Sequence, residues 1–296
     1  MKPPVFEYTA VRSVEEAVAE LSQHGDEAKL LAGGQSLLPL LNMRLVTPAR
    51  LIDLNRVSEL AYITERDGGV GIGAMTRQRH AERSPVVAAR LPLLGHALPW
   101  VGHFQIRNRG TIGGSLSHAD PAAELPAVAL CLDARFTVCG PGGERVLGAE
   151  EFFRTHLTTA LQATELLTEV WFPATPPEAG WAWLELCRRH GDFALAGVAA
   201  MVALDGERVR EARLCLTGVG DRPVRVRAAE ALLAGEPLTP ARLGEAAVTV
   251  RQVIDPPGDI HATPEYRRHV AGVLVARALG LAAIRARPDL GRQSDR

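Results

Sequence analysis

The sequence predicts an α/β fold for the first part of the chain and a separate α+β domain for the rest. Strand-like and helix-like segments alternate over the first part, whereas the last third places strand-like runs before a series of helices. At 296 residues the chain exceeds the size at which one hydrophobic core normally keeps growing, so two or three domains are expected. The most loop-like stretch, PATPPEAG from Pro173 to Gly180, is the predicted domain boundary.

The bulk composition is that of a globular protein, with 47% apolar and 23% charged residues. The formal net charge of -1 provides no overall attraction to nucleic acid or to an anionic membrane. The first residues lack the apolar core of a secretory signal, and the longest uncharged apolar run, FALAGVAAMVAL, is too short to span a bilayer. We therefore expect a cytoplasmic protein that binds no nucleic acid and is not an integral membrane protein.

The four cysteines, Cys131, Cys139, Cys187 and Cys215, are widely spaced and form no C-x-x-C pair for zinc or an iron–sulfur cluster. Disulfides are not expected, because the chain shows no secretory context. We interpret the cysteines as buried free thiols.

The first elements have clear start and stop signals. The segment SVEEAVAELSQHG predicts a helix with Ser13 as its N-cap, Glu16 completing a capping box, and Gly25 at its end. A strand over AKLLAGG and a helix over QSLLPLLNMRL follow, where Pro39 is tolerable only near the first turn. The runs ARLIDL and GVGIGAM predict strands, and Thr76 is expected to cap a helix over TRQRHAER.

Helical patterns dominate the middle of the chain. The stretch from Ser84 to Val101 is helical with interruptions at Pro92 and Pro99, and PAAELPAVALCLDA also has helical apolar spacing. The segments ARFTVCG and LLTEVWFP are strand-like. In the last third, strand-like or mixed runs precede helices, and the polar tail PDLGRQSDR is expected to fray. The strand-like runs are WAWLELCRR, FALAGVAAMVAL and EARLCLTGVG, and the helices are RVRAAEALLAG, ARLGEAAVTVRQVI and EYRRHVAGVLVARALGLAAIRA.

A glycine motif, AGGQS, lies between the predicted strand AKLL and the helix behind it; it comprises Ala32, Gly33, Gly34, Gln35 and Ser36. Glycine lets the backbone approach a ligand closely, and a turn that opens a helix leaves amide groups free. Such a turn binds anions, typically a pyrophosphate, without a lysine or arginine inside the loop. The alternative interpretation is a tight turn that binds nothing.

A second glycine motif, TIGGS, repeats this chemistry with two glycines and a hydroxyl at each end; it comprises Thr111, Ile112, Gly113, Gly114 and Ser115. Two such turns are suited to hold one pyrophosphate from two sides. Glu124, beyond the second motif, is a candidate acceptor for ribose hydroxyl groups, as acidic residues are in dinucleotide sites. The alternative interpretation of Glu124 is a solvated helix face.

Other patterns in the sequence give weaker evidence of function. GVGIGA, from Gly69 to Ala74, matches a Rossmann fingerprint only formally, because it follows a charged turn, ITERDGG, and alternates like a strand. HAD, from His118 to Asp120, is not a hydrolytic site because no nucleophile elbow accompanies it. Phe193, in RRHGDFALAGVAA, is ordinarily a core residue, unless a flat ring system needs a wall. No metal-ligand spacing relates His80, His96, His103 and His118.

Together, the two glycine motifs, the segment QIRNRGTIGGSLSHADPAAELPA and the segment RRHGDFALAGVAA resemble one family over essentially the whole chain. This family is the FAD-binding medium subunit of molybdenum hydroxylases, as in xanthine dehydrogenase and carbon monoxide dehydrogenase. The resemblance implies an FAD-binding domain of the p-cresol methylhydroxylase (vanillyl-alcohol oxidase) type over residues 1–176, with subdomains at about 1–55 and 56–176. A small α+β domain like that of the carbon monoxide dehydrogenase flavoprotein follows over 177–287, before the tail at 288–296.

The resemblance also implies which residues bind the cofactor. Leu184 stands where xanthine dehydrogenases carry a lysine near the flavin, so we expect this chain to lack that charge. The implied cofactor-binding residues are Ala32, Gly33, Gly34, Gln35, Ser36, Leu37, Thr111, Ile112, Gly113, Gly114, Ser115, Glu124, Leu167 and Phe193. No catalytic side chain is assigned, because the flavin carries the chemistry in such subunits.

The function implied is an oxidoreductase subunit that carries non-covalent FAD and transfers electrons. Its implied partners are a small subunit with [2Fe–2S] clusters and a large molybdopterin-binding subunit, as a dimer of heterotrimers. Two alternatives are kept. One is a stand-alone FAD-dependent oxidoreductase of the same cofactor fold, and the other is a non-enzymatic nucleotide-binding protein. The substrate and the electron acceptor are not specified by this chain.

Overall fold

The computed structural model describes residues 2–287, so the predicted tail at 288–296 lies outside the described residues. The first part of the chain forms two sheets with helices around them, and the last third forms a third sheet with helices on one face. This arrangement confirms the predicted mixture of α/β and α+β organisation.

The first sheet is a small parallel sheet with strand order β1-β3-β2. Parallel neighbours require crossover connections, and helices supply them. The elements are β1 (Glu7–Ala10), α1 (Val14–His24), β2 (Ala28–Leu31), α2 (Leu37–Asn42) and β3 (Arg50–Asp53). The sequence analysis missed β1, which has no fully buried residue and therefore gives no apolar signal.

Helix α1 begins and ends as predicted. The Ser13 hydroxyl accepts the amide of Glu16 at 3.2 Å, and Gly25 ends the helix with a φ of +49°. The Glu16 carboxylate accepts the amide of Arg12 at 2.7 Å. The predicted capping box is therefore only half formed.

The second sheet is antiparallel, with strand order β4-β5-β10-β6-β7, and a short ribbon of β8 and β9 lies beside it. The prediction of a charged turn before GVGIGA was wrong, because that segment contains the exposed edge strand β4. Asp67 and Gly68 alone form the turn, and both have positive φ, as tight hairpins favour. The strands are β4 (Ile63–Arg66), β5 (Gly69–Gly73), β6 (Arg135–Gly140), β7 (Gly143–Gly148), β8 (Phe153–Thr155), β9 (Thr158–Thr159) and β10 (Leu166–Pro173).

Short helices cover the second sheet. Pro92 begins one of them, which confirms the predicted interruption. The predicted cap at Thr76 was wrong, because the Thr76 hydroxyl donates to the carbonyl of Tyr62 at 2.8 Å and the helix begins after Arg77. The helices are α3 (Gln78–Arg83), α4 (Pro85–Arg90), α5 (Pro92–Ala97), α6 (Phe104–Arg109), α7 (Ile112–His118), α8 (Glu124–Cys131) and α9 (Ala149–Phe152), and 3₁₀ turns occupy Gly25–Glu27, Ser58–Leu60 and Leu98–Trp100.

The last third forms an antiparallel sheet with strand order β11-β12-β13-β14, followed by three helices, which confirms the predicted order of elements. The strands are β11 (Ala179–Leu186), β12 (Ala196–Asp205), β13 (Arg208–Thr217) and β14 (Val224–Arg225), and the helices are α10 (Arg227–Leu233), α11 (Pro240–Val253) and α12 (Pro264–Arg285).

Strand β12 is buried on both faces. Alternate residues such as Val198 and Ala200 pack in the core with α11 and α12, whereas Ala199 and Met201 pack in the core of the first part. A strand buried on both faces contains a continuous apolar run instead of an alternating one, which explains FALAGVAAMVAL. The third sheet is therefore the layer that joins the two parts of the chain.

The cysteines partly follow the prediction. All four are free; Cys131 and Cys215 are buried where α8 packs on the third sheet, whereas Cys139 and Cys187 are only half-buried. Among residues 2–287 no helix is long and apolar enough to cross a membrane.

The contact between β11 and α12 should tolerate no side chain at Gly180, because an added Cβ would overlap the carbonyl oxygen of Ala282. We expect Gly180→Ala to lower the free energy of unfolding by about 1–3 kcal/mol. Gly244→Ala is the control, since Gly244 lies inside α11 with open space around it, and we expect that variant to be about 1 kcal/mol more stable. Urea denaturation of both variants measures the difference, and equal stabilities would contradict the proposed packing constraint.

Candidate cofactor site

The first glycine motif forms an open loop between β2 and α2. Within the described part of the chain, no protein acceptor receives the amide hydrogens of Gly33, Gly34, Gln35 or Ser36. The side-chain amide of Gln35 donates to the carbonyl of Gly33 at 3.0 Å, and Gly34 has a φ of +74°. A run of successive unpaired amides is a binding site for an anion such as a phosphate group.

The second glycine motif differs from the first, because it is the first turn of α7 and not a free loop. Thr111 is the N-cap, and its hydroxyl accepts the amide of Gly114 at 3.0 Å. The amide of Ile112 donates to Thr76 and that of Gly113 to Ala74, both at 2.9 Å. Protein acceptors thus already occupy these amides, so the group that this motif offers to a ligand is the half-buried Ser115 hydroxyl.

The structure brings the two motifs into direct contact. A Cβ on Gly33 would overlap the carbonyl oxygen of Arg109 and lie 2.8 Å from the Cα of Gly110. A Cβ on Gly114 would lie 3.4 Å from the Cβ of Ala32. The predicted meeting of the two turns is therefore present in the fold, and the glycines permit their close approach.

Two arginines flank this contact, and the sequence analysis did not identify them. Arg77 donates to the carbonyl of Arg109 and, at 2.6 Å, to the side-chain oxygen of Asn55. Asn55 in turn donates to the carbonyl of Ala32 at 2.9 Å, so a hydrogen-bond chain connects the two motifs. Burial, and next the neighbouring guanidinium of Arg109, lower the pKa of Arg77, whereas the carboxylate of Asp53 raises it. Two arginines and one carboxylate thus lie around this contact.

Glu124 is the first residue of α8 and is only 4% exposed, so the alternative of a solvated helix face was wrong. Burial, and next the charge of Glu185, raise the pKa of Glu124 to about 8. In the described structure no side chain or backbone amide of another residue donates to its carboxyl group. Its own backbone amide partly offsets the rise in pKa, so Glu124 is an acceptor with capacity for a further donor.

Glu185 is a second buried carboxyl group, and the sequence analysis did not single it out. Both of its carboxyl oxygens are enclosed, and the indole nitrogen of Trp183 and the thiol of Cys187 lie near them without a well-aligned hydrogen bond. Burial raises the pKa of Glu185 to about 7, and the indole and the thiol partly offset that rise. Leu184 packs on the other side of the strand, with the core of the last third. The signal available in the sequence was the period of two in WAWLELC, which places Trp183 and Glu185 on one face.

The two remaining predicted site residues lie in different surroundings. Leu167 is buried on β10, in the core of the first part, and β10 contacts α7. Phe193 lies in the loop between β11 and β12 and is 59% exposed. That loop packs against the residues before α6: the rings of His190 and Trp100 are nearly perpendicular with 5.2 Å between centroids, and Gly191 lies against the His103 ring.

The described residues contain no group of three or more His, Cys, Asp or Glu side chains that could hold a metal ion. The oxygen of Asp120 accepts the amide of Ala122 at 2.8 Å, so within HAD this carboxylate stabilises a turn. The geometry thus defines a class of protein, one that binds an anionic nucleotide cofactor between a glycine loop and a neighbouring helix N-terminus.

Comparison with known proteins identifies the family. Residues 4–175 match the FAD binding domain in molybdopterin dehydrogenase, and residues 181–282 match the CO dehydrogenase flavoprotein C-terminal domain. The chain is 43% identical to 6-hydroxypseudooxynicotine dehydrogenase complex subunit alpha of Paenarthrobacter nicotinovorans, over 97% of this chain and 98% of the relative. It is 41% identical to the carbon monoxide dehydrogenase medium chain of Hydrogenophaga pseudoflava, over 95% and 98%. A solved carbon monoxide dehydrogenase from the same organism, which lacks the Mo-pyranopterin moiety, superimposes with a TM-score of 0.95 at 42% identity, over 96% and 99%.

The chain therefore belongs to the family of FAD-binding medium subunits of molybdenum hydroxylases, as its motifs predicted. It is an oxidoreductase flavoprotein subunit, and FAD is its cofactor. The predicted fold class, an FAD-binding part followed by a smaller C-terminal domain, is confirmed. The unpaired amides of the first loop and the acceptor capacity of Glu124 fit such a cofactor.

The buried carboxyl group of Glu185 should make the stability of the protein depend on pH. An ordinary glutamate has a pKa of 4.5, whereas the pKa of Glu185 in the folded protein is about 7, so folding favours the neutral acid. The free energy of folding that the neutral form of Glu185 contributes is fully present below about pH 4.5 and is lost as the pH rises to about 7. Between about pH 5 and pH 8, we expect the wild type to lose about 1–3 kcal/mol more stability than Glu185→Gln.

The measurement is the free energy of unfolding in urea at both pH values. Glu211→Gln is the control, because Glu211 is an exposed residue of the same sheet that pairs with Arg213. If Glu185→Gln and Glu211→Gln show the same pH dependence as the wild type, the Glu185 carboxyl group is not held neutral by the fold.

Proposed function

We propose that this chain is the electron-transfer subunit of a heterotrimeric molybdenum hydroxylase. In this proposal a small partner subunit with [2Fe–2S] clusters delivers electrons to the FAD, and the FAD passes them to an external acceptor. A large molybdopterin-binding partner oxidises the substrate. The observation that carries the proposal is the run of unpaired amides from Gly33 to Ser36, in contact with the N-terminus of α7.

The residues of this chain bind and orient the cofactor. The amides of the first loop, which ends at Leu37 in α2, hold the pyrophosphate, and the Ser115 hydroxyl in α7 holds it from the second side. Arg77 and Arg109 add positive charge at the rim of the site. Glu124 accepts a hydrogen bond from a hydroxyl group of the cofactor, while Leu167 and Phe193 pack against it. Bound non-covalently, FAD supplies the redox chemistry, so no protein side chain needs to act as acid, base or nucleophile.

The proposed assembly is a dimer of heterotrimers in the cytoplasm. Its support comes from the relatives, which are named as the subunit of a complex and as a medium chain. Large apolar side chains on α2 and on α6 are also exposed, as expected for surfaces that a partner covers. They are Leu38, Phe104 and Ile106, which are between 36% and 55% exposed.

The first test is the cofactor itself. We expect the purified chain to show a flavin absorption spectrum and to release unmodified FAD on acid precipitation. Gly33→Ala should lose FAD, because the added methyl group forces the two motifs apart. Gly142→Ala, in the open turn between β6 and β7, should retain it.

A second variant tests the same site in case Gly33→Ala does not fold. Ser115→Ala removes one hydroxyl group without adding bulk, and we expect it to weaken FAD binding about tenfold, as for one lost hydrogen bond to a charged group. If the folded wild-type chain takes up no FAD at any concentration, the assignment of these residues to cofactor binding is wrong.

The second test is the partnership. We expect the tagged chain, purified from its native cell, to bring down two further chains, one with molybdopterin and one with iron–sulfur clusters. The isolated chain should not oxidise organic substrates, since it lacks the substrate-oxidising partner. A lone chain that carries FAD and turns over a substrate would instead establish a stand-alone oxidoreductase.

A further inference from the structure

The end of β13 reaches across the interface to the loop that leads into α8. Thr217, the last residue of β13, is fully buried, and its hydroxyl donates to the carbonyl oxygens of Pro121 and Ala123, each 2.7 Å away. The backbone amide of Gly218 also donates to the carbonyl of Pro121, at 2.8 Å. The last third of the chain therefore binds the residue that immediately precedes Glu124.

The start of α8 has no capping side chain of its own. Ala123 is the N-cap residue, and its methyl group cannot accept an amide hydrogen as a serine or aspartate would. Within the loop, the side chain of Asp120 accepts the amide of Ala122 at 2.8 Å, and its carbonyl accepts the amide of Ala123 at 3.1 Å. These bonds shape the loop, whereas the bonds from β13 hold it against the third sheet.

A buried arginine holds the end of β13 in place. Arg267, in α12, is only 5% exposed and donates to the carbonyls of Leu195 at 2.7 Å and Gly218 at 3.2 Å. Its guanidinium also pairs with the carboxylate of Asp259 at 2.6 Å. Gly218 has a φ of +75°, and a Cβ there would lie 2.9 Å from the carbonyl oxygen of Leu195. A continuous series of hydrogen bonds thus connects α12 with the loop before α8.

The methyl group and the hydroxyl of Thr217 contact different neighbours. The methyl group lies over Gly197 of β12, where an added Cβ would come within 2.7 Å of it and within 3.2 Å of the Trp183 ring. The methyl group therefore packs inside the interface, and the hydroxyl reaches the loop. Substitutions at this position can separate the packing from the hydrogen bonds.

We propose that Thr217 is a positioning residue for the cofactor site: its hydroxyl fixes the loop before α8, so that Glu124 is held where it accepts a hydrogen bond from FAD. This proposal rests on the proposed contact between Glu124 and FAD. Thr217 is fully enclosed by protein atoms, so it acts through the loop and not by touching the cofactor. Without the hydroxyl, FAD has to order the loop as it binds, and that ordering reduces the affinity.

The test compares two variants that both lack the methyl group. Thr217→Ser keeps the hydroxyl, whereas Thr217→Ala removes it. Flavin fluorescence measures the dissociation constant of FAD for the complete chain after the flavin has been stripped. We expect Thr217→Ala to bind FAD about three- to tenfold more weakly than the wild type, and Thr217→Ser to stay within about twofold of it. Both variants should unfold at a lower urea concentration, because both lose the methyl packing.

A second variant and a control accompany this pair. Thr217→Val keeps a methyl group over Gly197 and lacks only the hydroxyl, so it should weaken FAD binding as Thr217→Ala does and replaces that variant if it does not fold. Thr249→Val is the control, because its hydroxyl donates to the carbonyl of Glu245 at 3.0 Å within α11. Helix α11 packs on the face of the third sheet opposite α8, so this variant should keep the wild-type affinity.

A double substitution tests whether Thr217 acts through Glu124. Glu124→Ala removes the proposed contact with the cofactor, so adding Thr217→Ala to it should weaken FAD binding no further. If Thr217→Ala has the same effect with and without the Glu124 carboxyl group, Thr217 does not act through Glu124 and the inference is wrong.

Two other results would contradict the inference while FAD binding itself remains. One is a loss of affinity in Thr217→Ser as large as that in Thr217→Ala. The other is wild-type affinity in Glu124→Ala, which would remove the contact on which the inference rests. A folded wild-type chain that binds no FAD at any concentration would instead overturn the proposed function.

Discussion

The site depends on one contact between backbone segments, in which the loop after β2 meets the segment leading into α7. Gly33 lies against Arg109 and Gly110, with no room for a side chain between them. Gly113 lies in the same way against Ala74 at the end of β5, where a Cβ would overlap that of Ala74. Three segments distant in sequence are thus held at van der Waals distance, and any side chain at these glycines separates them.

This contact gives the two glycine motifs different tasks. The amides of the second motif hold α7 to β5, through Thr76 and Ala74. Because α7 is fixed in this way, its N-terminus stays beside the first loop, whose amides have no protein acceptor within the described residues. In the proposed site, one motif therefore forms the wall, and the other has amides free to bind the anion. Unpaired backbone amides can bind an anion without a charged side chain in the loop.

The interface between the two parts of the chain has a chemical role as well as a structural one. Strand β12 contributes apolar residues to both cores, so the last third is fixed against α8 and cannot move independently at low cost. The same interface buries Glu124 and the carboxyl group of Glu185. Burying two acids lowers stability above neutral pH, and such costs are commonly found at functional sites.

Local features could be predicted from the sequence alone: the cap at Ser13, the breaks at proline, the apolar run that contains β12 and the two glycine motifs. Each depends on contacts within a few residues or on a regular period, and both are readable along the chain. Which amides stay free depends on the tertiary fold, since Thr76 and Ala74 are far in sequence from the amides they accept. The burial of Glu124 also depends on the tertiary fold, because its desolvation arises only when α8 packs on the third sheet. A local sequence pattern determines where a helix, strand or turn forms. Which acceptor a backbone amide finds, and how far an acid is removed from water, depend on segments that meet only in the assembled fold.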